Sequence, residues 1–268
     1  MLIGNRDFDV NRHTYIMGIL NLTPDSFSDG RKWNGIDEIL FRVDKMVEEG
    51  ADIIDVGGES TRPGYTKISD AEEIERTAPA IEQISKRFDV PISLDTYKSE
   101  VAMAGIKAGA DLINDIWGLK YDSRMASAIA KAGVCMCIMH NRDNLEYSNL
   151  IDDIKNDLSE SIKIARNAGI GDDKIILDPG VGFAKTYEDN LLTIKHLGEF
   201  NALGFPVLLG ASRKSVIGNT LNLPTDERLE GTLTTTVLAV MNNIAFVRVH
   251  DIESNVRAVR MAEAIRDI

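Results

Sequence analysis

The sequence predicts an α/β fold, a single (β/α)8 TIM barrel spanning residues 1–268. Two observations carry this prediction. Eight short β-branched or aliphatic runs recur along the chain, and each is followed by a segment with helical period. Strands alternating with helices imply parallel strands joined by right-handed crossovers. Eight such units in 268 residues favour the closed barrel over an open doubly wound sheet.

The predicted strands are Tyr15–Leu20, Asp52–Val56, Pro91–Leu94, Asp111–Ile116, Val134–Met139, Lys174–Leu177, Pro206–Leu209 and Ala245–Val249. The first helical segment puts Ile36, Ile39, Leu40, Val43, Met46 and Val47 on one face and stops at Gly50. The second opens with a capping box, Ser69 and Glu72, and continues through Ile74, Ile81 and Ile84. Ser123–Lys131, between strands four and five, is the shortest. The fifth segment runs Leu150, Ile151, Ile154, Leu158, Ile162, Ala165 and ends near Gly169; the last carries Val256, Val259, Ala262 and Ile265. Residues 1–14 precede the first strand and read as a segment closing the barrel's bottom. Without a Pro/Ser-rich linker or a low-complexity tract, one domain is expected.

Composition narrows the function. Thirty Lys and Arg against 42 Asp and Glu leave a formal charge of −12, which argues against a general nucleic-acid or anionic-membrane binder. An anionic substrate then requires a locally basic site or a metal. Cys135 and Cys137 are separated by one residue in an apolar run. They are poorly placed to pair and supply too few ligands for zinc, so buried thiols in a reducing cytoplasm are expected. The N-terminus carries Arg6 and Asp7 with no apolar stretch, so no secretory signal is expected. No run of eighteen apolar residues suggests a membrane span.

Gly50-Ala-Asp-Ile-Ile-Asp55 echoes Gly109-Ala-Asp-Leu-Ile-Asn114, so Asp55 and Asn114 hold equivalent places in strands two and four. Alternate strands of a barrel share side-chain layers, which places Asp55, Asn114 and Asp178 together. Polar residues stand at every strand's C-terminal end, where such barrels place their active sites: Asn21, Asp55, Asp95, Asn114, His140, Asp178, Ser212 with Lys214, and Arg248 with His250. Converging carboxylates and amides suit a flat heterocycle with N–H donors; Lys214, Arg248 and His250 suit an oxyanion. Arg248 and His250, two residues apart, point to one side of the strand. His13 and His196 lie away from strand ends and read as surface or packing residues. Gly180–Lys185 is not a dinucleotide fingerprint, because Lys185 stands where the third glycine belongs.

Longer motifs then become recognisable. Asn21-Leu-Thr-Pro-Asp-Ser-Phe-Ser-Asp-Gly30 and Asp55-Val-Gly-Gly-Glu-Ser-Thr-Arg-Pro-Gly64 resemble the two long signatures of dihydropteroate synthases. The resemblance continues through Ser93–Thr96, Asn114–Ile116, Asp178–Lys185, Ser212–Ser215 and Arg248–Asp251, covering essentially the whole chain from Tyr15 in order. It implies a (β/α)8 enzyme that joins 6-hydroxymethyl-7,8-dihydropterin diphosphate to 4-aminobenzoate, releasing diphosphate and yielding 7,8-dihydropteroate for folate synthesis. Sulfonamides imitate the aminobenzoate.

Carried over by position, the resemblance implies that Asp55, Asp95, Asn114, Asp178 and Lys214 hold the pterin. Asn21 would bind Mg²⁺ on the diphosphate, and Arg62, Arg248 and His250 its oxygens. Thr61, Arg62, Pro63, Phe183, Ser212 and Lys214 would shape the aminobenzoate pocket. Asp95, Lys214, Arg248 and His250 are the expected catalytic residues, with a homodimer as the assembly. The residue types agree: a carboxylate suits the pterin's paired N–H edge, and Mg²⁺ takes few protein ligands beside substrate phosphates. Asp95 would stabilise positive charge as the methylene C–O bond breaks, in a dissociative displacement. The loops Thr23–Arg31 and Gly57–Lys67 would close over the substrates.

Two stretches depart from the family pattern: Arg31 after Gly30, and Asn141-Arg142-Asp143 after His140. A corrinoid-linked pterin methyltransferase would share the pterin pocket but has no need of Ser212–Ser215, Arg248–His250 or the Thr-Arg-Pro loop. A non-catalytic pterin-binding paralogue would be expected to lose Asp95, Lys214 or the loop residues, and all are present.

Overall fold

The computed structural model describes residues 1–22, 35–60 and 66–268. A two-stranded antiparallel hairpin, β1 (Leu2–Ile3) and β2 (Arg6–Asp7), comes first. The alternation follows as β3 (Tyr15–Asn21), α1 (Gly35–Glu48), β4 (Ile53–Gly57), α2 (Asp70–Arg87), β5 (Ile92–Asp95), α3 (Ser99–Ala108) and β6 (Leu112–Asp115). It continues through α4 (Met125–Ala132), β7 (Cys135–Met139), α5 (Leu150–Ala168), β8 (Ile175–Asp178), α6 (Tyr187–Lys195) and β9 (Leu208–Leu209). The chain ends with α7 (Ser215–Leu221), α8 (Leu229–Met241), β10 (Phe246–Val249) and α9 (Ile252–Arg266).

Strands β3 to β10 form one parallel sheet in the order β8-β7-β6-β5-β4-β3-β10-β9. A parallel bridge between Leu177 and Val207, with Leu177 N–H donating to Pro206 O at 2.9 Å, joins β8 to β9 and closes the barrel.

The register defines the interior. Asp55 pairs with Ser93, Ser93 pairs with Leu112, and Asn114 lies two residues further along. From Asn114 the same step passes Cys137 and Ile176 to Asp178. From Asp178 it passes Leu208 and Phe246 to Arg248, and from Arg248 it passes Met17 and Ile53 back to Asp55. Four steps of two residues give the shear of eight that a TIM barrel requires. Asp55, Asn114 and Asp178 therefore share a layer, as the sequence echo implied, and Arg248 is its fourth member. Beneath lies the layer Met17, Ser93, Cys137 and Leu208, all fully or almost fully buried.

The echo also has a structural cause at its other end. Gly50 and Gly109 take left-handed backbone (φ +100° and +117°) where α1 and α3 end. Two residues later, Asp52 accepts the Ile16 N–H and Asp111 the Ile92 N–H, at 2.8 and 2.9 Å. Each Gly-Ala-Asp thus stops a helix and clips the start of the preceding strand.

At this N-terminal end of the strands, Ile3 and Phe8 pack with Tyr15, Phe246 and Leu112. Phe8 meets Tyr15 edge-on with ring centroids 4.7 Å apart. Helices cover the outside and bury Ile39, Leu40, Val43 and Met46 of α1 and Ile151, Ile154, Leu158 and Ile162 of α5.

Three local expectations differ. Val47 and Ile265, expected on apolar faces, are exposed, each lying in the last turn of its helix. Ser69 does cap α2, accepting the Glu72 N–H at 3.2 Å, but the Glu72 carboxylate pairs forward with Arg76. The reciprocal capping box belongs to Thr186 and Asp189 at α6.

Candidate active site

The C-terminal mouth of the barrel gathers the predicted residues. Asn21, Asp55, Asp95, Asn114, Asp178 and Arg248 lie within strands. Each occupies an inward position, since its neighbours Leu20, Val56, Leu94, Ile113, Leu177 and Val249 pack outward under the helices.

Arg248 dominates the floor. Its Nε donates to Asp55 Oδ2 at 2.6 Å and its Nη2 to Asp95 Oδ2 at 2.8 Å. The carboxylates expected to suit a heterocycle and the Arg248 expected to suit an oxyanion are paired with one another. A guanidinium in the same layer as one carboxylate and just below another satisfies both, and the charges are too buried to stand apart. Asp55 Oδ1 and Asp95 Oδ1 nevertheless have no hydrogen-bond partner among the described residues, nor does Ser93 Oγ beneath them. Orphaned carboxylate oxygens at the base of a mouth are acceptors for ligand or water donors. Burial pushes the Asp95 carboxyl up to about 7, with Arg248 opposing the rise and Asp55 adding to it.

Asp178 takes the Gly180 N–H on Oδ1 at 2.7 Å, while Asn114 makes no side-chain hydrogen bond to a described residue. Lys214 follows β9; its Nζ donates to Val181 O at 2.5 Å and lies 4.6 Å from the centre of the Phe183 ring. Burial pulls the Lys214 ammonium down to about 8 against the attraction of Asp178, and burial raises Asp178 against the pull of Lys214. Ser212 Oγ lies 3.0 Å from His250 Nδ1 and accepts the His250 N–H at 3.2 Å. Arg213 holds Asp251 with Nε and Nη2. Two motifs far apart in sequence, Ser212–Ser215 and Arg248–Asp251, are thereby laced together.

Thr61, Arg62, Pro63 and Arg31 lie outside the described residues, as do the whole of the first loop expected to close and residues 61–65 of the second. His13 and His196 each pair with a glutamate, Glu263 and Glu199, away from the mouth.

Sequence reading missed two buried networks. In one, Lys98 Nζ is 2.7 Å from both Glu59 Oε2 and Glu73 Oε2, and Tyr97 OH donates to Glu59 Oε1 at 2.5 Å. Burial alone would raise the Glu59 carboxyl, but hydrogen bonds from Lys98, Tyr97 and Ile68 hold it below its usual range. In the other, His140 bridges Asp157 and Lys185 at 3.0 and 2.9 Å. Lys98, three residues past the end of β5, was the available signal for the first; for the second, His140 stood among the strand-end residues, but its partners Asp157 and Lys185 lie far along the chain.

Comparison with known proteins fixes the family. A family model described as a pterin binding enzyme matches residues 17–250. The dihydropteroate synthase of Clostridium beijerinckii is 57% identical over 266 residues, 99% of each chain. The chain belongs to the dihydropteroate synthase family. It also resembles the crystal structure of a dihydropteroate synthase from Clostridium difficile solved in the presence of pteroic acid. The TM-score is 0.95 at 48% identity, covering 97% of this chain and 99% of that one. A Xanthomonas albilineans dihydropteroate synthase solved with 4-aminobenzoic acid gives 0.91 at 36%, covering 96% and 94%. As a dihydropteroate synthase, the protein is a transferase of folate synthesis acting on small molecules. Among the described residues, no helix is long and apolar enough to cross a membrane.

Proposed function

We propose that this mouth joins 6-hydroxymethyl-7,8-dihydropterin diphosphate to 4-aminobenzoate by a dissociative displacement. The carrying observation is the pair of buried, unpartnered oxygens, Asp55 Oδ1 and Asp95 Oδ1, flanking Arg248. Asp178 and Asn114 accept the pterin's N–H edge from the layer that also holds Asp55. Lys214, a cation beside Asp178, donates to the pterin's carbonyl or ring nitrogen.

The methylene C–O bond breaks with its electron pair going to the diphosphate oxygen. Positive charge spreads from the methylene into the pterin, and Asp95 stabilises it through fixed, water-poor electrostatics. Arg248 Nη1, which makes no hydrogen bond to a described residue, and His250 meet the departing oxygens, with Arg62 completing their charge. The arylamine nitrogen then attacks the methylene carbon and loses a proton. Phe183, Ser212, Thr61, Arg62 and Pro63 shape its pocket. No enzyme nucleophile is required.

Mg²⁺ fits the donor set as a companion of the substrate. The described residues contain no group of three carboxylate, histidine or cysteine ligands that would hold a metal alone. Asn21 offers an amide oxygen beside Gly57, where an added Cβ would lie 3.6 Å from it. One protein oxygen plus substrate phosphates is the usual Mg²⁺ arrangement, and the ion would neutralise charge on the leaving group.

Two buried free thiols support a reducing, cytoplasmic location. Exposed Leu221, Val237, Leu238, Met241, Met261 and Ile265 on α7, α8 and α9 support a homodimer through that side. Light scattering of a monodisperse monomer at micromolar concentration would remove the dimer.

Rapid-quench turnover tests the chemistry. Diphosphate release that requires pterin diphosphate and Mg²⁺, with product requiring 4-aminobenzoate, is expected. A pterin trapped covalently on the protein would overturn the dissociative course.

A further inference from the structure

The fifth and sixth loops of the mouth are strapped to each other. Lys185 Nζ has three partners: His140 Nδ1 at 2.9 Å, Gly180 O at 3.0 Å and Phe183 O at 3.2 Å. An ammonium carries three protons, so each is used. His140 Nδ1 must then accept, which puts the imidazole proton on Nε2, where it donates to Asp157 Oδ2 at 3.0 Å. Burial and the neighbouring Lys185 pull the imidazolium down to about 3, in keeping with a neutral ring.

Asp157 is itself held by Arg142, whose Nε donates to Oδ2 at 2.5 Å and whose Nη1 reaches Glu146 O at 2.7 Å. Arg142 belongs to the stretch that departs from the family pattern. It also lies 4.6 Å over the Tyr147 ring, and Tyr147 OH donates to Ala184 O at 2.6 Å. Four parts of the sixth loop are therefore gripped through their carbonyls: Gly180 and Phe183 by Lys185, Val181 by Lys214, and Ala184 by Tyr147. The grip is tight. Gly180 sits at φ +72°, and a Cβ there would fall 2.0 Å from His140 O.

We propose that Lys185, oriented by His140 and Asp157, is a positioning residue that sets the Phe183 wall of the aminobenzoate pocket. It acts from the loop's own C-terminal end, through the carbonyls of Gly180 and of Phe183 itself, and touches neither substrate. The inference rests on the reading of Phe183 as a pocket wall. It also assigns work to Arg142, which buttresses Asp157 from the fifth loop. Asp178 and Asn114 sit on strands, and the loop atoms that Asp178 and Lys214 hold, Gly180 N and Val181 O, are not those held by Lys185, so pterin binding should be affected far less than aminobenzoate binding.

The charge state of Lys185 provides a second readout. The groups facing it are His140 from the end of β7, Arg142 from the fifth loop, Asp178 from β8, Lys214 from beyond β9 and Asp189 from α6. Burial pulls its ammonium down to about 7. Above that pH it loses a proton, and one of its three bonds with it.

Three variants test the proposal: Lys185→Met, Asp157→Asn and Phe183→Ala. Steady-state turnover gives the aminobenzoate KM of each, and calorimetry gives the affinity for the pterin diphosphate with Mg²⁺. Misplacing a contact wall by ~1 Å costs up to about a hundredfold, so Lys185→Met is expected to raise the aminobenzoate KM about tenfold. The pterin Kd should stay within about twofold of wild type. Asp157→Asn should raise the same KM by a smaller factor, which decides the matter if Lys185→Met fails to fold. The wild-type KM should climb between pH 7 and 8 more steeply than that of Lys185→Met. If Phe183→Ala raises the KM while folded Lys185→Met and Asp157→Asn leave it unchanged, the positioning role is overturned. If Phe183→Ala itself leaves the KM unchanged, the wall reading fails and the proposal with it. Parallel loss of pterin affinity would mark general damage to the mouth and overturn it too.

Discussion

Arg248 reaches Asp55 across the last gap of a four-membered layer, Nε to Oδ2 at 2.6 Å, although 193 residues separate them in sequence. The barrel's shear brings them level, and the same guanidinium rises to Asp95 in the layer above. One cation thus pairs with two buried carboxylates, offsetting one of their two charges, and still leaves each an oxygen for a ligand. The pairing lowers the negative charge that an anion meets at this mouth, in a chain whose total is −12. The local balance is set by pairing and is independent of the surface total.

Arg248→Met should therefore damage stability as well as activity. It leaves Asp55 and Asp95 buried without a cation, a change that costs about 3–5 kcal/mol in comparable buried pairs. Adding Asp55→Asn on that background should recover part of the loss. Urea melts of the wild type and both variants measure this, and calorimetry should show weaker diphosphate binding. Unchanged diphosphate affinity would take Arg248 out of the anion site.

Asp95→Asn should lower turnover about 10²–10³-fold with only a small change in pterin affinity, because its charge matters most as the cation develops. The free enzyme's pH profile carries the sign. Burial raises the Asp95 pKa to about 7, so the carboxylate is lost as pH falls through 7. Burial lowers Lys214 to about 8, so the cation is lost as pH rises through 8. The profile of kcat/KM should be a narrow bell, and Asp95→Asn should erase its acid limb. The raised pKa also means that the folded form holds the Asp95 proton more tightly than the unfolded chain. The stability this contributes is lost as pH rises from about 4 to 7.

All eight barrel strands were legible because each is a run of residues with one burial pattern. The runs stop short at their C-terminal ends, however: Asn21, Asp95 and Asp178 belong to the hydrogen-bonded ladder, whereas the sequence pattern leaves them just beyond it. An apolar run ends at the first polar side chain, but a barrel mouth places polar side chains on the ladder itself. Asp55, Asn114 and Asp178 were legible as a layer because alternation and the internal echo are local. The Arg248 pairs, the Lys98 cluster and the Lys185–His140–Asp157 strap were not. They join residues 15 or more positions apart through side-chain directions that only the closed barrel defines.

Gly180→Ala tests how rigidly the sixth loop is held. The left-handed backbone disfavours any side chain, and the new Cβ would meet a backbone carbonyl, which cannot swing aside as a flexible side chain could. A loss of about 2–4 kcal/mol is expected, together with reduced turnover. Thermal melts with and without the pterin measure it. A fully active, equally stable variant would show that the loop tolerates displacement.

The two thiols report on the barrel itself. Cys135 and Cys137 point into the interior, 1% and 0% exposed, and Cys137 lies in the layer directly beneath Asp55. Burial pushes the Cys135 thiol up to about 11 and raises Cys137 well above its ordinary value, with Asp178 and Asp55 adding to the effect. A thiol that is neither ionised nor accessible reacts only when the structure opens. An aromatic disulfide reagent at about pH 8 should therefore label neither cysteine in the folded protein, and both at the unfolding rate in denaturant. Pterin diphosphate with Mg²⁺ should slow the labelling further, because it binds the folded form alone. Rapid labelling of Cys137 under native conditions would mean that the mouth floor is open to solvent, and the buried pairing of Arg248 with Asp55 and Asp95 would fall with it.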